Sequence, residues 1–110
     1  AELYQWAWEE ASNDLERFIA AHYVARIQPS AEMKLKWDEQ ALYFALRTNE
    51  TCATESMPSL YINLAKGYHD SGDHKKAKSF YRKALASTEH LQDRGVAKMV
   101  ESVILKHIDT

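Results

Sequence analysis

The stretch from Pro58 to Leu91 constrains the chain most. Within it Tyr61, Leu64, Ala65 and Tyr68 recur at intervals of three and four, Gly72-Asp73 interrupts the pattern, and Ala77, Phe80, Tyr81, Ala84 and Leu85 resume it. Residues at that spacing share one face of an α-helix, whereas on a strand they would scatter over both faces, so the pattern predicts two short amphipathic helices. Gly72 stands where the first helix needs a left-handed residue to stop, and Asp73 can cap the second. A turn this tight folds the two helices back on each other and sets their apolar stripes face to face.

The order of aromatic, Leu, small residue, Tyr, turn Gly, Ala, aromatic and Ala over about 34 residues resembles a tetratricopeptide repeat. Tyr61 stands where that family carries a large aromatic, Ala65 where it carries Gly or Ala, and Ala77 and Ala84 where its two helices approach closely. Ser87-Thr88 stand where it carries Pro. The resemblance implies an all-α fold of antiparallel helical hairpins stacked as a short right-handed superhelix. It also implies a concave face, lined by the first helix of each hairpin, on which peptides bind. Carried over position by position, it nominates Ser59, Ile62, Asn63, Lys66, His69 and Asp70, the residues left over once Tyr61, Leu64, Ala65 and Tyr68 enter the core. Asn63 and Lys66 suit a peptide backbone or a carboxylate.

The rest of the chain is read around that unit. Residues 2–27 carry a stripe of Tyr4, Trp8, Ala11, Leu15, Phe18, Ile19 and His22, which predicts one long helix. Asn13 followed by Glu16 imitates a capping box and could restart it. Pro29-Ser30 ends the segment, and Ser30 can cap a second helix over 31–49. There Met33, Trp37, Ala41, Phe44, Ala45 and Thr48 lie on one side, and Ala41 to Leu46 is apolar all round, which predicts a central element buried from more than one direction. Residues 49–57 read as a polar connection, with Pro58 in the first turn of the next helix. A last helix over 93–108 carries Val96, Met99, Val100, Val103, Ile104 and Ile108 on one stripe. The expected architecture is a single domain over 1–110 of about five helices: a degenerate hairpin at 1–50, the well-matched repeat at 58–91 and a closing helix at 92–110. Only three Gly and two Pro argue against an all-β chain, which needs turn residues far more often.

Charge and cysteine content narrow the function. A net charge of −2 gives no global attraction to nucleic acid or an anionic membrane. It conceals an asymmetry, since residues 1–57 hold 5 basic and 10 acidic side chains while residues 58–110 hold 9 and 6. Cys52 is the single cysteine, so neither an intramolecular disulfide nor a cysteine-rich metal site is available. The sequence has no basic-then-apolar leader and no run approaching a membrane span, so a cytoplasmic location is expected. Five His include His69 and His74, but these stand five apart across a turn rather than three or four apart on one face, so no metal site is expected. His22, His90 and His107 read as surface or core-edge residues. No phosphate loop, nucleophile pair or cofactor motif is present, so no cofactor is expected and the chain is read as not an enzyme.

A non-catalytic protein-protein interaction module binding a peptide or helix of a partner is the leading expectation. One alternative is a structural or self-assembling fragment, or a homodimer through the 96–108 helix. Another is an RNA-associated protein using the basic helix 75–83, where Lys75, Lys76, Lys78, Arg82 and Lys83 gather. That reading requires exposed aromatics between the charges, and the core stripe claims Phe80 and Tyr81.

Overall fold

The computed structural model describes residues 2–108, so the expected domain limits at residues 1, 109 and 110 lie outside the described residues. Every regular element among them is helical: α1 (Glu2–Glu10), α2 (Asp14–Arg26), α3 (Ala31–Ala45), α4 (Thr51–Asp70), α5 (His74–Ser87) and α6 (Arg94–Ile108), with a 3-10 turn at Thr88–His90. The chain divides into two compact units, Ala1–Thr54 and Glu55–Thr110.

In the first unit the expected long helix is two. Asn13 takes an extended conformation (φ −146°) and its side chain accepts a 2.8 Å hydrogen bond from the Glu16 amide, which starts α2 afresh. Glu16 in turn reaches back and accepts from the Ser12 amide at 3.0 Å. The capping residues therefore outcompete the continuous apolar stripe, because Asn13 satisfies an otherwise orphaned first-turn N–H and Glu16 ties down the chain just before the cap. With the break, the expected stripe no longer runs through the segment. Tyr4 and Ile19 are exposed, while Ala20, Ala21, Val24 and Ala25 are buried with Phe18.

The central element of this unit is α2, which packs against both α1 and α3. The expectation that α3 is buried from several directions is corrected: Tyr43 and Leu46 are exposed, as is Met33, and the helix ends at Ala45. Close approach is left to small residues, Ala21 and Ala25 on α2 and Ala41 and Ala45 on α3, all at most 4% exposed. Trp8 completes the unit by setting its indole edge-on to Trp37 at 5.1 Å and lying 5.7 Å from Phe44. Asp38 is buried within it and ion-paired to Arg26.

α4, most of which belongs to the second unit, begins at Thr51, so the expected polar connection is largely helical and Pro58 lies inside the helix, not in its first turn. Ala53, Met57, Leu60 and Leu64, spaced four, three and four, are all buried, and this stripe outweighs the one N–H that Pro58 removes. The turn after α4 matches expectation. Gly72 has φ +89°, its amide donates to the His69 carbonyl, and the Asp73 amide donates to the Tyr68 carbonyl at 2.9 Å, the Schellman pattern. Asp73 then accepts from the Lys76 amide at 3.1 Å and caps α5.

Ala65 of α4, Tyr81 and Ala84 of α5 and Ile104 of α6 form the buried centre, with Tyr61, Ile62, Phe80, Leu85, Val100 and Ile108 packed around it. Phe80 stacks on Tyr68 at 5.4 Å and on Tyr61 at 6.3 Å. The expected six-residue stripe of α6 is split. Ala97, Val100, Ile104 and Ile108 face the core, whereas Val96, Met99 and Val103 are exposed. Ala97 takes a core place because close helix contact favours the smaller side chain. At the α5–α6 corner Thr88 is 2% exposed, its hydroxyl 2.7 Å from both the Leu85 carbonyl and the Glu101 carboxylate, and Arg94 donates to the Thr88 carbonyl at 3.1 Å. No helix among the described residues is long and apolar enough to cross a membrane.

Candidate functional site

Where α4, α5 and α6 converge, they leave a groove on the second unit. Its larger part, about 300 Å³, is lined by His69, His74, Ala77, Lys78, Tyr81 and His107. A second part, about 210 Å³, is lined by Lys66, His69, Asp70, Tyr81 and His107, and so shares His69, Tyr81 and His107 with the first. The last turn of α4 supplies Lys66, His69 and Asp70, one helical turn apart on one face. The Schellman turn then reverses the chain and brings His74 back, so that the His69 and His74 rings meet edge-on at 4.6 Å. His107, from the last turn of α6, lies flat on Tyr81 with ring centres 4.8 Å apart and planes 5° from parallel.

The groove is predominantly basic and rich in hydrogen-bonding groups. Lys66 and Lys78 provide two ammonium groups against the one carboxylate of Asp70, and His69, His74 and His107 add three imidazoles. Asp70 Oδ1 lies 3.9 Å from His69 Nδ1. Burial, and secondarily the negative charge of Asp70, push the Tyr81 phenol pKa up, which keeps it a protonated hydroxyl. Such a surface favours an anionic group, which either lysine can meet with a charge-assisted hydrogen bond. Among the described residues, no three His, Cys, Asp or Glu side chains are placed to hold a metal ion together.

Of the nominated residues, the structure brings together Lys66, His69 and Asp70. Ser59 is exposed on α4, Asn63 is half-buried, and Ile62 packs against the Ala65–Tyr81–Ala84–Ile104 core; none of the three lines the groove. Sequence reasoning missed Tyr81, Lys78, His74 and His107 as groove residues. For His107 a local signal exists, since it follows the buried Ile104 by three positions and so shares its side of α6. Compared with protein-family models, with curated proteins and with solved structures, the chain matches none.

Proposed function

We propose that the chain is a non-catalytic protein-interaction module of tetratricopeptide-like type, which binds an extended peptide or helix of a partner in the groove between α4, α5 and α6. The observation that carries this reading is the joining of Lys66, His69 and Asp70, nominated as concave-face residues, with Tyr81 and His107 in one recess. An acidic group of the partner, either a side chain or a terminal carboxylate, is the complement of Lys66 and Lys78. The protonated Tyr81 hydroxyl fits a binding role better than proton transfer. The reading is tested by capturing the partner from source lysate with the full chain and with Lys66→Glu. The variant is expected to lose the partner while its thermal midpoint stays within about 2 °C, because Lys66 is exposed. Equal loss of binding and stability would place Lys66 in the fold and sink the proposal.

A second reading, self-association through α6, draws on the exposed Val96, Met99 and Val103. Sizing of wild type against Met99→Lys separates it, since only a dimer built on that face would become monomeric. RNA association draws less support. Lys76 lies over the Tyr68 ring at 5.1 Å and Lys83 over Phe80 at 4.8 Å, and Phe80 is already stacked with Tyr61 and Tyr68, so the aromatics that bases would need are occupied.

A further inference from the structure

The first unit carries a pocket of opposite character. About 310 Å³ in volume, it opens between α1 and α2 and is walled by Tyr4, Trp6, Ile19 and Tyr23, with Glu10 and Glu16 among its lining residues. Tyr4 and Tyr23 stack at 5.4 Å, and Trp6, 57% exposed, presents its indole to solvent. Among the described residues, no Lys, Arg or His lines the pocket.

The nearby charge is one-sided for a structural reason. Residues 1–16 hold Glu2, Glu9, Glu10, Asp14 and Glu16, and the first basic residue of the chain is Arg17. Arg26 is turned to Asp38 and Arg47 to Asp14 and the Tyr43 ring. Arg17, paired with Asp14 and lying over the Phe44 ring, also reaches Glu16 with its charge but does not line the pocket, and Glu10 has no such neighbour among the described residues. Glu16 is held in place by the Ser12 amide at 3.0 Å and the Asn13 side-chain amide at 3.2 Å, so its carboxylate is fixed before any ligand arrives.

These features discriminate between occupants. A purely aliphatic segment would cover the rings but strip water from the Glu10 carboxylate without compensation, and from Glu16 with only the Ser12 and Asn13 hydrogen bonds to offset it. A basic side chain satisfies both demands, because its methylene stem covers apolar surface while its cationic head meets the ring faces and the carboxylates. We infer that this aromatic, carboxylate-lined pocket binds the cationic side chain of an arginine or lysine displayed by a partner protein. The site belongs to the first unit, and its charge preference is opposite to that of the α4–α5–α6 groove of the second.

The test uses the full chain and two pairs of short blocked peptides, arginine against citrulline and lysine against acetyl-lysine, followed through the Trp6 indole N–H resonance. The charged member of at least one pair is expected to shift that resonance saturably and to bind about tenfold tighter than its neutral counterpart. Added salt should weaken it. Glu10→Gln should bring its affinity down to the neutral level, and the circular dichroism spectrum of the variant should be unchanged. Neutral peptides binding as tightly as charged ones, or no peptide shifting Trp6, would overturn the inference.

Discussion

The buried ion pair between Arg26 and Asp38 makes an asymmetric prediction about stability. The Asp38 side chain is 5% exposed and that of Arg26 is 38% exposed, so the two partners lose very different amounts of water on folding. Burial raises the Asp38 pKa above the ordinary 3.8, and Arg26 offsets this only in part. Removing Arg26 leaves a buried carboxylate without its counter-ion. For a fully buried pair that costs about 3–5 kcal/mol, and the solvent access of Arg26 reduces it here to about 2 kcal/mol for Arg26→Gln at neutral pH. Removing Asp38 instead leaves a guanidinium that can turn to water, so Asp38→Asn should cost less than about 1 kcal/mol.

The pH dependence follows from the raised pKa. Folded Asp38 holds its proton more tightly than unfolded Asp38, so its contribution is most favourable at low pH and is lost as pH rises from 3.8 through the folded value. Arg26→Gln raises the folded value further, and its penalty should therefore shrink as pH falls from 7 toward 4. Urea midpoints of wild type, both single variants and the double variant across that range provide the assay. Equal losses for the two single variants at neutral pH, or an Arg26→Gln penalty that grows on acidification, would refute the reasoning.

Other expected outcomes concern helix packing, turns and titration. Ile104→Ala should destabilise by about 2–5 kcal/mol, and Met99→Ala by no more than about 0.5 kcal/mol, because only the first is in the core; similar losses in denaturant melts would mean that the two faces of α6 are misassigned. Ala77→Leu should cost about 1–3 kcal/mol by overpacking, since Ala77 is 2% exposed, and an unmoved denaturant midpoint would contradict that. Gly72→Ala should cost about 1–2 kcal/mol in a thermal melt, from its positive φ alone, because no atom lies within 4 Å of the added methyl. Burial, and secondarily the charge of Arg26, hold the His22 pKa below the ordinary 6.5, so the unfolded chain takes up the proton first and stability falls as pH drops through that value. His22→Phe should flatten this slope, and an unchanged slope would assign it to another group.

Where backbone chemistry is local, sequence and structure agree. Gly72-Asp73 could be read because a left-handed Gly followed by a capping Asp has few alternatives, and Ser30 caps α3 as expected by accepting from the Met33 amide at 3.1 Å. Asn13 and Glu16 were legible as a capping box, but whether they would beat a stripe running through them depended on packing that no local pattern reports. The largest differences between expectation and structure share one cause, in that hydrophobicity alone does not decide burial. Met99, Val103 and Leu46 are apolar and exposed, while Ala97, Ala21 and Ala25 are small and buried, because helices that touch closely choose small residues at the crossing. Of the groove, the α4 side could be nominated from one helix face. Tyr81 and His107 lie 11 and 37 residues or more beyond Asp70, and only the folded chain brings them to it.

The measurement that tests the account most directly is a backbone and side-chain NMR footprint of a captured partner peptide on the full chain. Perturbations centred on Lys66, His69, Asp70, Lys78 and His107, with the α6 outer face unaffected, are what the groove predicts. A footprint confined to Val96, Met99 and Val103, or to the outer charges Lys75 and Arg82, would contradict the claim that the groove is where this chain meets its partner.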